Sequence, residues 1–483
     1  MKQALRLLKH LTLAIVVLLP ISFSTATART QADTSIVGMW QGTLDVGGTK
    51  LRIVFHVAKT DNDKLASTLD SPDQGATGIP VSSTIVSGDS VTFTVASIGG
   101  SYIGRISGDK SSIEGKWNQS GASFNLPLNR TTAAIKINRP QEPKPPFPYK
   151  SEEVSYENTK ENVKLAGTLT LPESGGPFPA VVMITGSGPQ NRDEELFGHK
   201  FFLVIADYLT RRGIAVLRVD DRGVGGSTGN TMNSTTADFA TDVLAGIDFL
   251  KNRSDINSNE IGLIGHSEGG VIAPMVAAQS KDVAFIIMLA GTGLPGEDII
   301  LAQTKLIEEA NNVPKEKVAK DVAHLGKICS ILKSGDDSTK IADEMRSYLK
   351  STVSDWGADL EKNGISPEKA IDSQINQFDV PWFRYFIVYD PRPALEKVKC
   401  PVLAMDGSLD LQVPPKENLE WIEKELKKGG NKDFTIKLLP GLNHAFQDAK
   451  TGSPSEYAQI EETFSPTALQ VMGDWIEKET SHK

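Results

Sequence analysis

The chain has 483 residues, of which 39% are hydrophobic and 23% charged, a composition that is ordinary for globular proteins and excludes a disordered or collagen-like chain. Its formal net charge of -9 disfavours nucleic acid as a partner, because surfaces that bind phosphate usually carry an excess of Lys and Arg. The length predicts more than one domain, since a domain usually contains about 100–200 residues.

The amino terminus has the three parts of an export signal. These are a basic start at Lys2, Arg6 and Lys9, an apolar stretch from Leu11 to Phe23, and a small-residue cleavage site at Ala26-Thr27-Ala28. The apolar stretch is shorter than the roughly 20 residues that span a bilayer, so we expect no membrane span after cleavage. We therefore predict that residues 1–28 are a signal peptide and that the protein is exported, to the periplasm or to the extracellular medium.

Residues 29–138 have the pattern of a β-meander module. Short stretches of alternating apolar residues are separated by the turn pairs Gly47-Gly48, Gly88-Asp89 and Gly108-Asp109. The segment Gly38-Met39-Trp40 is similar to the Gly-x-Trp start of lipocalin-like barrels, in which the Trp closes the barrel end. We expect a small all-β barrel or sandwich, and whether it holds a ligand or only its own side chains stays open.

A Pro-rich segment, residues 139–149, follows this module and favours extended geometry, so we place the domain boundary there. Residues 150–483 alternate strands with helical stretches, which predicts a mostly parallel sheet covered on both faces. After a hairpin, the predicted strands are 180–184, 214–219, 261–264, 284–289, 402–405 and 434–438. About a hundred residues between the fourth and fifth of these strands are too many for a simple crossover, and they predict a helical cap over about 296–395.

The segment Gly265-His266-Ser267-Glu268-Gly269 fits the Gly-x-Ser-x-Gly pattern of a nucleophile elbow. The strand NEIGLI precedes it and the helix-compatible GVIAPMVAAQ follows. A sharp strand-to-helix turn lifts the serine hydroxyl out of the backbone, and the flanking glycines are needed because a β-carbon would collide with the turn. The following helix also points its N-terminus at the site, where it favours a developing negative charge. We therefore predict Ser267 as the nucleophile.

A serine hydroxyl needs a base within hydrogen-bond reach. His444 follows the last predicted strand in a loop that can reach the carboxyl edge of the sheet. His266 adjoins the nucleophile and should point away from its hydroxyl, while His199 lies near the start of a helix and His324 in the cap. We therefore predict His444 as the base.

Two carboxylates, Asp406 and Asp410, follow the strand before His444. A residue beyond a turn can fold back toward the imidazole, whereas one at the strand end more often holds the turn through side-chain hydrogen bonds. We favour Asp410 as the acid that orients the base, with Asp406 as the alternative. The order Ser, Asp, His along the chain is that of α/β-hydrolases.

An oxyanion needs two backbone N–H donors, one from the residue after the nucleophile and one from a loop after an earlier strand. The first is Glu268, whose carboxylate we expect to be hydrogen-bonded or solvated rather than catalytic. The second comes from the loop 185–190, in which Pro189 has no N–H. Ser187 is preferred and Gly188 comes second.

The glycines at 220–227 are spaced as in a phosphate-binding loop, but the segment lacks the Gly-Lys-Ser/Thr end that binds nucleotides. It therefore predicts a structural turn. Its paired aspartates have no His or Cys neighbours at ligand spacing. We therefore predict no metal and no cofactor.

Five segments together resemble the α/β-hydrolase superfamily, particularly bacterial esterases and serine-aminopeptidase-like hydrolases. They are TGSGPQNRD at 185–193, DDRGVGGSTG at 220–229, GHSEGG at 265–270, CPVLAMDGSLDLQVP at 400–414 and LPGLNHAFQ at 439–447. The resemblance implies an α/β-hydrolase sheet with a cap insertion, and acyl transfer to water through an acyl-serine carried by Ser267, Asp410 and His444. The oxyanion loop reads Thr-Gly-Ser-Gly instead of the common His-Gly opening, which leaves its donor open.

The expected function is hydrolysis of small to medium carboxylic esters. One alternative is a serine exopeptidase acting on short peptides, which would need a buried carboxylate in the cap to hold the substrate ammonium. Another is a ligand-binding β module beside a silent hydrolase domain, against which the intact triad weighs. The aromatic stretch 378–386, with Trp382 and Phe383, is predicted to wall the acyl pocket, the alternative being that it forms the core of the cap.

Overall fold

The computed structural model of the chain describes residues 36–46, 49–60, 64–72, 76–119, 122–132, 138–335, 338–362 and 366–480. The predicted signal peptide, residues 1–28, lies outside these ranges. Across the residues described, no helix combines the length and the apolar character needed to cross a bilayer. The chain divides into two compact units, one of residues up to Asn138 with Arg346–Ile375, the other of Arg139–Met345 with Asn376–Lys483.

One antiparallel sheet makes up most of the first unit. Its strands are β1 Gly38–Val46, β2 Thr49–Lys59, β3 Leu65–Ser71, β4 Ala76–Val81, β5 Ser83–Ser87, β6 Ser90–Val95, β7 Gly100–Ile106, β8 Ser112–Gln119, β9 Ala122–Asn125 and β10 Leu128–Thr131. They pair in the order β4-β3-β2-β1-β10-β8-β7-β6-β5, with β9 on β8, and the sheet is barrel-like and nearly closed. The predicted all-β module is therefore confirmed, as a barrel rather than a sandwich.

Aromatic side chains fill the inside of this barrel. The rings of Phe55 and Phe93 stack with their centroids 4.2 Å apart, and Tyr102 lies 5.7 Å from Phe55. Trp40, from the predicted Gly-x-Trp segment, is fully buried, and the Arg130 guanidinium lies 4.3 Å from the centre of its ring. Every second residue of β6 is buried, which is the period expected of a strand with one face toward a core.

The second unit is built on an eight-stranded sheet. Its strands are β11 Tyr149–Asn158, β12 Val163–Pro172, β13 Phe178–Ile184, β16 Ala215–Val219, β17 Ile256–His266, β18 Phe285–Leu289, β19 Val402–Gly407 and β20 Phe434–Leu439. A short hairpin, β14 Glu195–Leu196 with β15 His199–Lys200, lies apart from the sheet. The order is β11-β12-β16-β13-β17-β18-β19-β20, antiparallel at the first two pairings and parallel from β16 onward. This mixed sheet confirms the predicted α/β-hydrolase fold class.

Eleven helices are described in the chain. They are α1 Phe201–Arg211, α2 Thr236–Lys251, α3 Glu268–Ala277, α4 Gly296–Ala310, α5 Lys315–Leu332, α6 Ser338–Lys362, α7 Pro367–Phe378, α8 Pro381–Val388, α9 Arg392–Leu395, α10 Pro415–Lys428 and α11 Pro466–Thr480. Helices α2, α3 and α10 cover one face of the sheet, and α1 and α11 cover the other. Helices α4 to α9 occupy the excursion between β18 and β19, and its description as a single cap stays a prediction.

The parallel strands bring distant parts of the sequence to one edge of the sheet. Ile184 pairs with Gly265, and His266 pairs with Leu289. Further along the same edge, Asp406 pairs with Leu438. The loops that leave β13, β17, β19 and β20 therefore begin side by side, and these loops carry the predicted site residues.

Candidate active site

The turn between β17 and α3 gives Ser267 a strained backbone, with φ 53° and ψ -113°. A β-carbon on Gly265 would lie 1.9 Å from the Gly269 carbonyl oxygen, and one on Gly269 would lie 2.1 Å from the Ile184 carbonyl oxygen. Both positions therefore exclude any other residue. The side chain of Ser267 is half-buried, so its hydroxyl is accessible to a substrate.

Asp410 and His444 form a buried hydrogen-bonded pair, with 2.6 Å between Asp410 Oδ2 and His444 Nδ1. The other oxygen, Asp410 Oδ1, accepts hydrogen bonds from the backbone N–H groups of Gln412 at 2.6 Å and Val413 at 2.9 Å. These hydrogen bonds fix the orientation of the Asp410 carboxylate against His444. This leaves Nε2 as the ring atom of His444 that can take a proton from a nucleophile.

Hydrogen bonds within the loop hold the segment that carries His444 in place. Asn443 Oδ1 accepts the backbone N–H groups of Ala445 at 3.0 Å and Gln447 at 2.9 Å. The Gln447 side chain in turn lies 2.9 Å from His199 Nε2. Burial, reinforced by the charge of Arg139, lowers the pKa of His199 to about 4. His199 is thus a neutral structural group, in keeping with the prediction that placed the base elsewhere.

Asp406 does not contact the imidazole in the described hydrogen bonds. Its Oδ1 accepts the N–H of Gly407 at 2.7 Å, the turn-holding contact that the sequence suggests. Burial, together with the charge of Asp410, raises the pKa of Asp406 well above its usual range. The strand-end residue therefore holds the turn, and Asp410 is the carboxylate on His444.

His266, the neighbour of Ser267 in the chain, lies beside this pair. The ring of His266 lies with its centroid 4.8 Å from the ring of His444. Among the described residues, no hydrogen bond joins Ser267 Oγ to the His444 imidazole. Catalytic hydrogen bonds are commonly loose without substrate and tighten when the substrate is bound.

The predicted oxyanion loop follows β13. Gly186 N–H donates to Glu194 Oε1 at 2.7 Å and is therefore engaged. Within the described part of the chain, the backbone N–H groups of Ser187, Gly188 and Glu268 have no acceptor in the protein. Three N–H groups are thus left for a developing oxyanion, and they are the three that the sequence nominates.

The Glu268 carboxylate is buried and hydrogen-bonded rather than solvated. Thr236 Oγ1 donates to Oε1 at 2.7 Å, and the indole Nε1 of Trp382 lies 2.9 Å from both carboxylate oxygens. Burial raises the pKa of Glu268 against these hydrogen bonds. Trp382 therefore lies next to the residue that follows the nucleophile, whereas Phe383 is buried against Phe378 at 5.2 Å.

The glycine-rich turn after β16 supports the oxyanion loop. Asp221 accepts the hydroxyl of Thr185 at 2.7 Å and the backbone N–H of Gln190 at 2.8 Å. Asp220 pairs with Arg192, with 2.8 Å between Oδ2 and Nη2. The turn is thus a scaffold for the neighbouring loop. No cluster of three His, Cys, Asp or Glu residues that could hold a metal occurs in the ranges described.

A small cleft lies against the oxyanion loop. Gly186, Gly188 and Glu268 line it together with Tyr156 and Phe239, whereas Ser267 and His444 are not among its lining residues. Its mixture of apolar walls with a few polar groups is typical of small-molecule sites.

Two features of the site were not predicted from the sequence. They are the buried Glu194 and the contacts by which His266 connects it to the backbone of His444. His266 does point away from the Ser267 hydroxyl, as expected, but its ring nitrogens contact Glu194 Oε1 and the His444 carbonyl oxygen, both at 3.0 Å. The acidic segment Asp193-Glu194-Glu195 was visible in the sequence, and nothing distinguished the buried member from its neighbours.

The family model of the X-Pro dipeptidyl-peptidases (S15 family) matches residues 161–441, more than half of the chain. The chain belongs to the S15 family. The match covers Ser267 and Asp410 in this S15-family chain and ends just before His444. It confirms the predicted resemblance to the α/β-hydrolases and their serine peptidases.

Among curated proteins, this S15-family chain is similar to Esterase EstD of Thermotoga maritima, with 27% identity over 294 residues. The aligned region is 61% of this chain, and the chain spans 61% of the length of that relative.

Two solved structures are among those that this chain matches. The α/β hydrolase GrgF of Penicillium sp. sh18 has 16% identity and a TM-score of 0.43, covering 69% of this chain and 99% of its own. The esterase PF2001 of Pyrococcus furiosus has 15% identity and a TM-score of 0.42, covering 72% of this chain and 98% of its own.

Proposed function

We propose that this S15-family protein is an exported serine hydrolase that cleaves carboxylic esters. The observation that carries the proposal is the buried Asp410–His444 pair at 2.6 Å, together with the unengaged N–H groups of Glu268 in the Ser267 turn and of Ser187 and Gly188 in the loop after β13. The similarity to a relative named an esterase supports the choice of ester over amide. No cofactor or metal enters the reaction.

In the first half of the reaction, His444 Nε2 takes the proton of the Ser267 hydroxyl as Oγ attacks the ester carbonyl carbon. The negative charge that forms on the carbonyl oxygen is stabilised by the N–H of Glu268 and by that of Ser187 or Gly188. The tetrahedral species collapses, the C–O bond to the alcohol breaks, and His444 gives its proton to the departing alcohol. Asp410 stabilises the imidazolium throughout and keeps its own charge.

In the second half, a water molecule takes the place of the alcohol. His444 removes its proton as the water oxygen attacks the acyl-serine carbonyl, and the same N–H groups stabilise the second oxyanion. Collapse breaks the bond to Ser267 Oγ, which recovers the proton, and the carboxylic acid leaves.

A second candidate, removal of X-Pro dipeptides from peptides, is favoured by the family match. It needs a carboxylate to hold the substrate ammonium, and the buried carboxylates at the cleft already accept protein donors. Glu268 is engaged by Thr236 and Trp382, and Asp221 by Thr185. These contacts favour an ester over a cationic peptide terminus.

Among the acidic residues of the predicted cap, Asp379 forms an ion pair with Arg384, and Glu309 is exposed. Glu308 is buried, which differs from the solvated surface that its charged neighbours in the sequence suggest. The side chains of Asp359 and Glu361 lie outside the described residues. Glu308 is therefore the residue to change if the peptidase activity proves to be the larger one.

The test is a panel of chromogenic acyl esters and X-Pro dipeptidyl amides given to the wild type and to Ser267→Ala. We expect turnover of esters, with kcat/KM at least tenfold above that of any X-Pro amide, and loss of activity in the variant. A higher kcat/KM on X-Pro amides would move the assignment to the peptidase, and ester turnover that survives in Ser267→Ala would remove the serine mechanism.

A further inference from the structure

The His266 imidazole is held between two oxygen atoms. Nδ1 lies 3.0 Å from Glu194 Oε1, and Nε2 lies 3.0 Å from the His444 carbonyl oxygen. Both side chains of the first contact are buried, with Glu194 only 1% exposed. A buried carboxylate is costly unless a positive group or several donors compensate it.

The proton count in this cluster follows from the chemistry of the partners. A backbone carbonyl oxygen can only accept, so the Nε2 of His266 must carry a proton. Glu194 Oε1 already accepts the N–H of Gly186 at 2.7 Å, which favours the ionised carboxylate. An ionised carboxylate is also only an acceptor, so Nδ1 must carry a proton as well. Both nitrogens of the ring are then protonated, and His266 is a cation.

The remaining oxygen, Glu194 Oε2, is buried and has no hydrogen-bond partner in the part of the chain described. The charge of the carboxylate is therefore balanced by His266, with help from one peptide N–H. The backbone of Glu194 has φ 46°, an unfavourable value for a residue other than glycine, and its N–H donates to the Asn191 carbonyl oxygen at 2.8 Å. A strained backbone of this kind persists only where the surrounding structure holds the residue in place.

We infer that Glu194 and a doubly protonated His266 form a fixed ion pair that positions the catalytic groups of this hydrolase, an inference that rests on the proposed serine mechanism. The pair connects three separate segments. Glu194 holds the oxyanion loop through Gly186, His266 belongs to the nucleophile turn, and its Nε2–H holds the backbone of the base, His444. Neither residue exchanges a proton with the substrate, so both are positioning residues.

The arrangement explains why Gly186 N–H is turned away from the oxyanion. Its bond to Glu194 leaves the next N–H groups along the loop, those of Ser187 and Gly188, free of acceptors among the described residues. A β-carbon on Gly186 would lie 3.2 Å from Glu194 Oε1 and 3.3 Å from the Ser267 β-carbon, so this close approach favours glycine.

The charged groups around His266 support the cation. Burial acts to lower its pKa, but the charge and hydrogen bond of Glu194, the His444 carbonyl and the charge of Asp410 outweigh burial and raise it. His444 itself faces the ring at 4.8 Å. Because the folded-state pKa lies above the unfolded value of about 6.5, the pair stabilises the fold fully below that pH and is lost as the pH rises through the folded-state pKa.

The first experiment is nitrogen-15 NMR of the histidine side chains in the whole wild-type protein at neutral pH, with His266→Asn used to assign the signals. We expect both ring nitrogens of His266 to show the shifts of an imidazolium. A ring with one protonated nitrogen, hydrogen-bonded to a neutral Glu194, would overturn the inference whether or not any variant folds.

The second experiment compares the ester kinetics of Glu194→Gln with those of Glu195→Gln, the exposed neighbour as a matched control. The amide keeps the shape of the side chain but removes the charge, so His266 loses a proton and one of its two hydrogen bonds. We expect kcat to fall about 10- to 100-fold with KM within about twofold, since misplacing a catalytic group by about 1 Å costs about that much. We also expect the alkaline limb of the pH profile of kcat/KM to move to lower pH.

The two hypotheses fail in different ways. If the NMR shows an imidazolium but no ester is turned over, the ion pair stands and the proposed ester hydrolysis is wrong. If esters are turned over and Glu194→Gln matches Glu195→Gln in both kcat and pH profile, the positioning role is wrong and the ester hydrolase stands.

Discussion

The barrel of the first unit and the sheet of the second bury different kinds of side chain. In the barrel, the large buried side chains are apolar or aromatic, and the buried polar residues of its described strands are the serines Ser67 and Ser71. At the carboxyl edge of the α/β sheet, ionisable side chains are buried together, among them those of Glu194, His266, Asp406, Asp410 and His444.

This difference shows where the chemistry lies. Burial of an ionisable group costs free energy unless it is paired and hydrogen-bonded, so a fold keeps such groups where they have a function. The barrel resembles an ordinary protein core, in which volume and shape matter most. The sheet edge holds an ion pair, a base and two acids in fixed positions, and changes there should affect the reaction before they affect the fold.

The largest expected effect is that of Ser267→Ala. Removing the nucleophile should lower kcat on esters by about 10⁵- to 10⁶-fold, because the base then has no hydroxyl to activate. Ser258→Ala is the matched control, since Ser258 is an exposed serine of the same strand, β17. Steady-state kinetics with a chromogenic ester measures both, and residual activity above a hundredth of wild type would mean that another residue is the nucleophile.

Asp410→Asn should lower kcat by about 10⁴-fold, because an amide no longer stabilises the imidazolium of His444 or selects its tautomer. The nearby Asp406→Asn should cost less, since Asp406 bonds the N–H of Gly407 rather than the imidazole, and burial with the charge of Asp410 raises its pKa. Its kcat should stay within about tenfold of wild type. Equal losses in the two variants would show that the acids act as one unit and that the assignment of roles is wrong.

In the barrel, Phe55→Ala should destabilise the first unit by about 3–5 kcal/mol, because it leaves a cavity beside Phe93. The kcat on esters at 25 °C should change by less than about twofold. Denaturant unfolding followed by fluorescence measures the stability, with Ile85→Ala as the control, since Ile85 is exposed on β5. A large loss of kcat in the folded variant would remove the distinction between the two regions.

The stability of the second unit should fall in acid because of His199. Its folded-state pKa of about 4 lies below the unfolded value of about 6.5, so only the unfolded chain takes up the proton as the pH falls between these values. The loss should be about 1–3 kcal/mol and should shrink in His199→Asn. Urea unfolding at pH 7.5 and 5.0 measures it, and an unchanged pH dependence in the variant would assign the acid sensitivity to other groups.

The smallest expected effect concerns Trp382. Trp382→Phe keeps a ring but loses the bond to Glu268, and should lower kcat equally for acetyl and longer acyl esters. Trp382→Ala should add a loss that grows with acyl length, by about 0.8 kcal/mol per methylene, if the indole ring walls the acyl pocket. Comparing kcat/KM across acyl lengths separates the two effects. A loss in Trp382→Ala that does not depend on acyl length would mean that Trp382 only binds Glu268 and does not wall the acyl pocket.

Much of the architecture could be predicted because its signals are local. Apolar runs, turn residues and the Gly-x-Ser-x-Gly turn each occupy a few consecutive residues, and backbone sterics decide their conformation. The barrel strands with weaker alternation, such as β4 and β5, escaped prediction because their apolar residues are too few to set a period. The roles of Ser267, Asp410 and His444 could be predicted for a similar reason, because each residue follows a strand that the sequence identifies.

What the sequence by itself determined is the type of most elements, the strained turn at Ser267 and the residues able to act as nucleophile, base and acid. Only the tertiary structure decided which carboxylate meets the base, and that Glu194 pairs with His266 across 72 residues of chain. The physical reason is that burial and pairing set the charge of a side chain, and both depend on neighbours that are distant in sequence. Asp406 and Asp410 are four residues apart and alike in chemistry, yet their surroundings raise the pKa of Asp406 and make Asp410 the partner of His444.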